Sequence, residues 1–296
     1  MSERRAAFLA LLAVAVCFGG TWPAGKVAAE HVPPATVATA RFAVACALLW
    51  LWARSHGRRI GLPGRADLPL VVALGLTAVL GYNLFFLYGL RLAPATDGAI
   101  LVPGLITVLT TALAWPLHGH RPTAAVVAGL AVALAGVALV ADPVGGFGSQ
   151  RLEGDGLLVG AAACWASYTL LGRTATRRFD SVTANVYATG AGTVGLLPLS
   201  FLGGGWRSLA AAPGSAWASI VYLSVVGTVV AFVLFYEGVR LIGSAPASAF
   251  TLLVPIFGVL ASMLVLGERL RPLAALGGAL VLGGLAVVQR PVRSRR

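Results

Sequence analysis

Two ionisable side chains stand within or beside long apolar runs of this 296-residue sequence, where each could bind a ligand. Arg41 could hold a carboxylate bidentately through its guanidinium, or it could be structural, snorkelling outward or capping helix carbonyls. Asp97 follows Pro94 by three residues, which places it in the first turn of a helix. There the helix dipole favours a carboxylate, which could equally carry a proton or bind an amine. Both residues are candidates for substrate binding.

Other charged residues have local explanations. Lys26 and Glu30 are spaced i,i+4, and Glu237 and Arg240 are spaced i,i+3, so both pairs are expected to be helix-surface ion pairs.

Aromatic and small polar residues recur at helical spacing in the apolar runs. The aromatic residues predict an apolar cavity wall, although packing or lipid contact would also explain many of them. Hydroxyl groups from the ninth run could add polar contacts. The candidate substrate-binding residues are Trp22, Arg41, Tyr82, Asn83, Phe86, Asp97, Trp165, Tyr168, Phe232, Tyr236, Ser248 and Thr251.

The sequence lacks the patterns of catalytic and metal sites. It contains no HExxH, GxSxG or CxxC pattern, and no GxxxxGK[ST] nucleotide-binding loop. The three cysteines fall within predicted helices and indicate neither a disulfide framework nor a metal site. We therefore expect no catalytic residue, no metal, no cofactor and no enzymatic activity, and any transport would be secondary.

The composition shows which elements must position these residues. Of the residues, 58% are hydrophobic and 11% are charged, and the mean hydropathy is +0.87. Soluble domains carry about 25% charged residues and could not bury this much apolar surface. The fold class is therefore predicted to be all-α and integral to a membrane. A spanning helix needs about 20 apolar residues, and the sequence offers ten candidates: 6–28, 34–53, 68–90, 94–117, 122–140, 155–172, 182–202, 215–239, 244–266 and 272–289.

The net charge of +12 is explained by topology. With a cytoplasmic N-terminus, 15 of the 22 Lys and Arg residues fall on inside segments, 6 fall outside and Arg41 lies within a span. The positive-inside rule then places both termini in the cytoplasm, in a multi-pass protein of the inner (plasma) membrane. The expected partners are a small-molecule substrate and membrane lipid, with no nucleic acid.

The two halves of the chain echo one another at spacings of 147 to 149 residues. Cys17 corresponds to Cys164, and Gly89 corresponds to Gly238. Residues 1–148 and 149–296 each hold five predicted spans, an odd number, so the second unit must enter the membrane in the opposite sense. This arrangement is a five-plus-five inverted repeat within one membrane domain, as found in secondary transporters.

These features resemble the drug/metabolite transporter superfamily, and most closely its EamA-type exporters. The resemblance covers nearly the whole chain and rests on the order and spacing of short motifs: Phe18-Gly19 with Lys26, Arg41-Phe42, Gly-Leu-Arg-Leu at 89–92, and Leu-Val-Pro at 253–255 followed by Gly267-Glu268-Arg269. Two positions depart from the family pattern. Thr107 stands in place of a proline, and His120 stands in place of a glutamate.

The resemblance implies an exporter of amino acids or similar amphiphilic metabolites that works by alternating access. It also implies a central cavity built by both halves, including the fourth and ninth helices. The aromatic content favours bulky or aromatic amino acids. A channel or facilitator for small solutes remains the alternative, with a membrane-embedded enzyme less favoured. The glycine-rich fifth and tenth helices are expected to be scaffold or oligomer contacts, so a homodimer is conceivable.

Overall fold

A computed structural model of the chain describes residues 3–118, 123–141, 149–243, 247 and 250–289. Throughout these residues the regular structure is helical. The α-helices are α1 (Glu3–Gly19), α2 (Thr21–His31), α3 (Pro34–Ser55), α4 (Leu68–Leu74), α5 (Tyr82–Leu92), α6 (Ala95–His118), α7 (Ala124–Ala141), α8 (Ser149–Ala175), α9 (Ser181–Phe201), α10 (Gly205–Ala210), α11 (Gly214–Val221), α12 (Ala231–Ile242), α13 (Val254–Leu266) and α14 (Pro272–Val288).

Helices lie in all ten sequence ranges predicted to span the membrane, but not all of them have the length and composition of a span. Within the described part of the chain, six helical stretches are long and apolar enough to cross a membrane: Arg5–His31, Pro34–Ser55, Leu68–Leu92, Ala95–Trp115, Ala124–Ala141 and Gly214–Ile242. Helices α8 and α9 are long but more polar, and the apolar stretches Phe250–Leu266 and Pro272–Val288 are shorter. The chain is thus an all-helical, multi-pass membrane protein.

Two of these stretches are interrupted by a π-helical segment. Residues Gly75–Gly81 join α4 to α5, and residues Tyr222–Val230 join α11 to α12. A π-turn shifts the helical hydrogen bonds from i→i−4 to i→i−5 and is frequent near functional sites. Both segments lie beside the central cavity described below.

Glycines hold α7 and α14 in close contact. A Cβ at Gly136 would lie 2.4 Å from the carbonyl oxygen of Gly277, and one at Gly284 would lie 2.4 Å from that of Gly129. In lipid, where apolar surface gives helices little reason to associate, such close backbone approach supplies the packing energy. The fifth and tenth predicted spans therefore pack on each other, which agrees with a scaffold role.

This packing can be tested with a matched pair of alanine substitutions. Gly136→Ala is expected to lower the free energy of unfolding by about 1–3 kcal/mol, because the added methyl group would force the two backbones apart. Gly283→Ala, on α14 with open space around it, should be neutral or slightly stabilising. Thermal unfolding of the purified variants measures the difference, and equal stabilities would contradict the packing.

Candidate functional site

A cavity of about 80 Å³ lies in the middle of the bundle, between helices of the two halves. It is lined by residues of α1 to α3, the first π-helical segment, α5, α8, α9, the second π-helical segment and α12. Seven of the twelve predicted site residues are brought together here: Arg41, Tyr82, Asn83, Phe86, Trp165, Tyr168 and Phe232.

Arg41 is the charged group of this cavity. Its side chain is buried, with the residue 8% exposed, and its guanidinium lies 4.8 Å from the ring centroid of Phe42. Nη1 donates to Asn83 Oδ1 at 3.1 Å, whereas Nε and Nη2 donate to Thr228 Oγ1 at 3.4 and 3.3 Å. No carboxylate among the described residues forms an ion pair with it. A cation taken out of water and held only by neutral groups is a costly arrangement.

The partners of Arg41 are themselves oriented by the π-helical segments. The Asn83 amide donates to the carbonyls of Ala78 and Val79 at 3.3 and 2.9 Å, which leaves its oxygen for Arg41. The Thr228 hydroxyl donates to Leu223 O at 2.8 Å, so its lone pairs accept from Arg41. These contacts use three of the five N–H groups of a guanidinium. One N–H on Nη1 and one on Nη2 remain for a ligand, and this pair of donors suits a carboxylate.

Stacked aromatic rings form one wall of the cavity. Tyr82 lies parallel to Phe86, with ring centroids 5.5 Å apart, and its centroid is 4.8 Å from that of Trp165. Trp165 in turn meets Tyr168 edge-on at 5.4 Å. Aromatic pairs in these geometries attract each other beyond their area burial. The wall therefore gives the cavity a firm apolar surface beside the Arg41 guanidinium.

A larger pocket of about 310 Å³ adjoins this cavity and shares Tyr168, Asn185 and Phe232 with it. It runs past Trp52 to Thr176, which is exposed at the end of α8. We call this end of the bundle the Arg58 end. An apolar cavity of about 150 Å³ binds benzene, so the larger pocket has room for an amino-acid side chain that the smaller cavity lacks.

Exposed ion pairs join loops at the Arg58 end. Arg58 contacts Asp180 at 2.7 Å, and Arg178 contacts Asp67 at 2.8 Å. Asp180 also caps α9 by accepting from the Val182 and Thr183 amides. Partial burial acts to raise the pKa of Asp180, but these hydrogen bonds and the Arg58 charge hold it below its ordinary value. Exposed pairs of this kind contribute only about 0–1 kcal/mol each.

The opposite end, which we call the Lys26 end, is held together by contacts of the Glu268 carboxylate. Glu268 accepts from the amides of Ala95 and Thr96 at 2.9 and 2.8 Å, which caps the N-terminus of α6. Lys26 lies 3.5 Å from Glu268 and donates to Ala93 O at 2.8 Å. The predicted Lys26–Glu30 ion pair is therefore wrong, because the carboxylate that pairs with Lys26 is that of Glu268. The Glu237–Arg240 pair is confirmed.

Asp97 adds two ion pairs at the same end. It is 2% exposed and lies 2.7 Å from Arg151 Nη2 and 3.6 Å from Arg271 Nη2. Both arginines also donate to Val140 O, at 2.9 and 2.8 Å. These contacts tie α6, α7, α8 and the start of α14 together. Asp97 lies in the first turn of α6 as predicted, but it does not line the central cavity, since its carboxylate is held by the two arginines.

Comparison with known proteins decides the family. The EamA-like transporter family matches residues 5–141 and again residues 152–290. The chain belongs to the EamA-like transporter family. Among its relatives, a "Probable terminal-alkyne amino-acid exporter" of Streptantibioticus cattleyicolor is 31% identical, covering 97% of this chain and 94% of that protein. An uncharacterized transporter of Archaeoglobus fulgidus is 26% identical, covering 88% and 89%.

A further relative and a solved structure are also similar to this chain. An uncharacterized transporter of Bacillus subtilis is 26% identical, covering 97% of this chain and 94% of that protein. A crystal structure at 23% identity aligns with a TM-score of 0.64 over 100% of this chain and 99% of the other, so the two share the fold. The EamA resemblance expected from the sequence motifs is confirmed.

Three predicted residues of this EamA protein lie away from the central cavity. Besides Asp97, Trp22 is buried behind Phe86, with ring centroids 5.2 Å apart, where it supports the aromatic wall from outside. Thr251 lines a separate crevice with Leu11 and Phe235. Ser248, the Tyr236 side chain and His120 lie outside the described residues.

The helices that line the cavity also differ from the EamA-based expectation. Described residues of α6 and α13, the fourth and ninth predicted spans, are absent from its lining, whereas α3 and α9 contribute directly. Asn185, Thr189 and Thr228 were not predicted as site residues, although all three line the cavity. All three offered a signal, since each is a polar residue in a predicted span, and Thr228 lies in the second π-helical segment.

Proposed function

We propose that the protein is a secondary exporter of amino acids that binds the substrate carboxylate at Arg41 and a bulky side chain in the adjoining larger pocket, at the Tyr168 end of the aromatic wall. The observation that carries this proposal is the buried Arg41 guanidinium, which has neutral partners and two N–H groups left for a ligand. A bound carboxylate would supply the missing counter-charge. The name of the relative from Streptantibioticus cattleyicolor supports the same substrate class.

The conformation fits one state of an alternating-access cycle. The pockets extend from Arg41 to the Arg58 end, while the Lys26 end is closed by the Glu268 contacts and the Asp97 ion pairs. With the positive-inside orientation, the Arg58 end lies on the cytoplasmic side of the cell's inner membrane. The state is then inward-facing, ready to load a cytoplasmic substrate. Export requires the Lys26 end to open and the Arg58 end to close.

We also propose that the chain has ten spans arranged as two inverted repeats, residues 1–148 and residues 149–296. The family match falls on both halves, at starting positions 147 residues apart. The two π-helical segments begin at Gly75 and Tyr222, which are also 147 residues apart. Equivalent helix interruptions at equivalent positions support two copies of one unit that rock about the cavity.

A channel or facilitator is the second candidate, and the Lys26 end argues against it. A channel needs a continuous path with weak binding along it. In the described residues, Trp22 packs behind the cavity residue Phe86, and ion pairs tie the helices together at the Lys26 end. The same measurement tests both candidates.

Counterflow in proteoliposomes tests the proposed function. Vesicles loaded with unlabelled L-phenylalanine are expected to accumulate labelled L-phenylalanine transiently, because an alternating-access carrier exchanges one substrate for another. Phenethylamine, which has the ring and the amine but no carboxylate, should drive at least about tenfold less exchange, the loss expected for an unmade charge-assisted bond. Empty vesicles are the control. Solute flux without counterflow would indicate a channel, and no amino-acid exchange across a panel of amino acids would contradict the proposal.

A further inference from the structure

Asp155 is a buried carboxyl group that the transport site does not use. It lies on α8 and is 4% exposed, and neither Oδ1 nor Oδ2 has a hydrogen-bond partner in the described structure. The helix is also closely packed one residue earlier, where a Cβ at Gly154 would lie 2.7 Å from the amide nitrogen of Ala93. An ionised carboxylate in this setting costs several kcal/mol unless a counter-ion or a proton accompanies it.

The other two acids in the interior of the Lys26 end already have partners. Asp97 is held by Arg151 and Arg271, and Glu268 is held by Lys26 and the α6 amides. This leaves Asp155 as the buried acid at this end whose charge is not balanced by a direct contact among the described residues.

Two charged groups act on Asp155. One is Asp97, a like charge on the adjacent α6, and the other is Arg151, four residues earlier on the same helix. Arg91, on α5 packed against the same helix, is exposed. The Arg151 guanidinium is placed by its i,i+4 spacing to reach the face of α8 that carries Asp155. In this conformation it binds Asp97 and Val140 O instead. One arginine thus serves two carboxyl groups and pairs with one of them.

We propose that Asp155 is a proton-binding site, occupied while the Lys26 end is closed and vacated when that end opens. The proposal rests on the alternating access proposed above. On opening, Arg151 leaves Asp97, whose carboxylate becomes hydrated, and turns to Asp155. The O–H bond of Asp155 breaks, its proton passes to water at the Lys26 end, and the resulting carboxylate pairs with Arg151. On closing, Asp155 takes one proton from the same water, and Arg151 returns to Asp97.

A proton fits the site better than a metal ion does. Hard cations require several oxygen ligands at once. The described residues contain no group of three or more His, Cys, Asp or Glu side chains that could hold a metal. A proton needs only the carboxyl oxygen itself.

The test measures opening of the Lys26 end against pH in the full chain in lipid nanodiscs. The native cysteines are replaced in Cys17→Ala, Cys46→Ala and Cys164→Ala, and Thr96→Cys serves as the reporter, because Thr96 is 3% exposed beneath the Glu268 cap. As the pH is raised, the rate of maleimide labelling at Thr96→Cys should increase by up to about tenfold per pH unit, because opening releases one proton. The exposed Glu30→Cys at the same end corrects for ionisation of the thiol.

Variants on the same helix assign the effect to Asp155. Asp155→Asn, which imitates the protonated acid, should remove the pH dependence and keep labelling slow. Glu153→Gln, at an exposed position two residues earlier, should retain the dependence of the parent chain. If Asp155→Asn fails to fold, Asp155→Glu replaces it and is expected to keep a pH dependence with a shifted midpoint.

Three results would overturn the proposal: a parent chain whose corrected labelling ignores pH, an Asp155→Asn chain that keeps the parent profile, or labelling that follows sodium at constant pH. The assay needs no substrate. Failed amino-acid counterflow with an intact Asp155 effect would therefore reject the export proposal alone, and the reverse pattern would reject the proton site alone.

Discussion

Replacing Arg41 with methionine is expected to lower kcat/KM for amino-acid transport by at least about 100-fold. The loss follows from two charge-assisted hydrogen bonds to the substrate carboxylate, each contributing about 1.5–3 kcal/mol. The fold should persist, because Arg41 has no carboxylate partner among the described residues that its removal would leave unpaired. Its neutral partners also keep their own backbone hydrogen bonds.

Arg54→Met is the matched control for this substitution. Arg54 lies on the same helix, α3, but is exposed at its end and stacks on Trp50 at 4.9 Å. Its removal changes the net charge equally and should leave transport within about twofold of the parent, as expected for an exposed side chain. Uptake of labelled phenylalanine measures both variants. Loss of folded Arg41→Met protein would support a purely structural role for Arg41, as would unchanged transport.

Replacing Asp97 with asparagine is expected to favour opening of the Lys26 end by about 100-fold or more. Breaking a buried ion pair by removing one partner costs about 3–5 kcal/mol. Asp97 is 2% exposed, and the Arg151 side chain is 11% exposed. Because opening in the proposed cycle breaks this pair, the cost falls on the closed state. Labelling of Thr96→Cys in nanodiscs at neutral pH measures the shift.

An exposed pair supplies the control for Asp97. Asp67→Asn removes a carboxylate whose side chain is 26% exposed and whose partner, Arg178, is 50% exposed. Surface pairs contribute about 0–1 kcal/mol, so this variant should change labelling by less than about fivefold. Equal effects of the two variants would contradict the assignment of the Lys26 end as a gate. A lower melting temperature of Asp97→Asn without faster labelling would also contradict it.

The sequence was sufficient for features that depend on local composition. Hydropathy located the helical stretches because a span must be apolar along about 20 residues. Arg41 and the aromatic residues of α5, α8 and α12 were recognisable because an unusual side chain in an apolar run needs a partner or a cavity. Asp97 was placed in the first turn of α6 by the proline before it.

The sequence was insufficient for features that depend on distant contacts. Lys26 and Glu268 are more than two hundred residues apart, and only the folded bundle brings that carboxylate to the lysine. Asp97 was expected to bind substrate, and its two arginine partners could not be predicted because they lie in distant segments of the chain. The π-helical turns were not predicted either, because their apolar sequences give no signal for an i→i−5 bond. Thr228 lies in one of these segments and Asn83 bonds to carbonyl oxygens of the other, and both residues contact Arg41.

Recognition of the substrate carboxylate by Arg41 can be measured in a cycle of two ligands and two proteins. The affinities of L-phenylalanine and L-phenylalaninamide are measured by calorimetry for the parent chain and for Arg41→Met. We expect the parent to prefer the acid by at least about tenfold and this preference to disappear in the variant, since the coupling between the guanidinium and the carboxylate is then lost. Equal binding of acid and amide by the parent, or an undiminished preference in Arg41→Met, would contradict it.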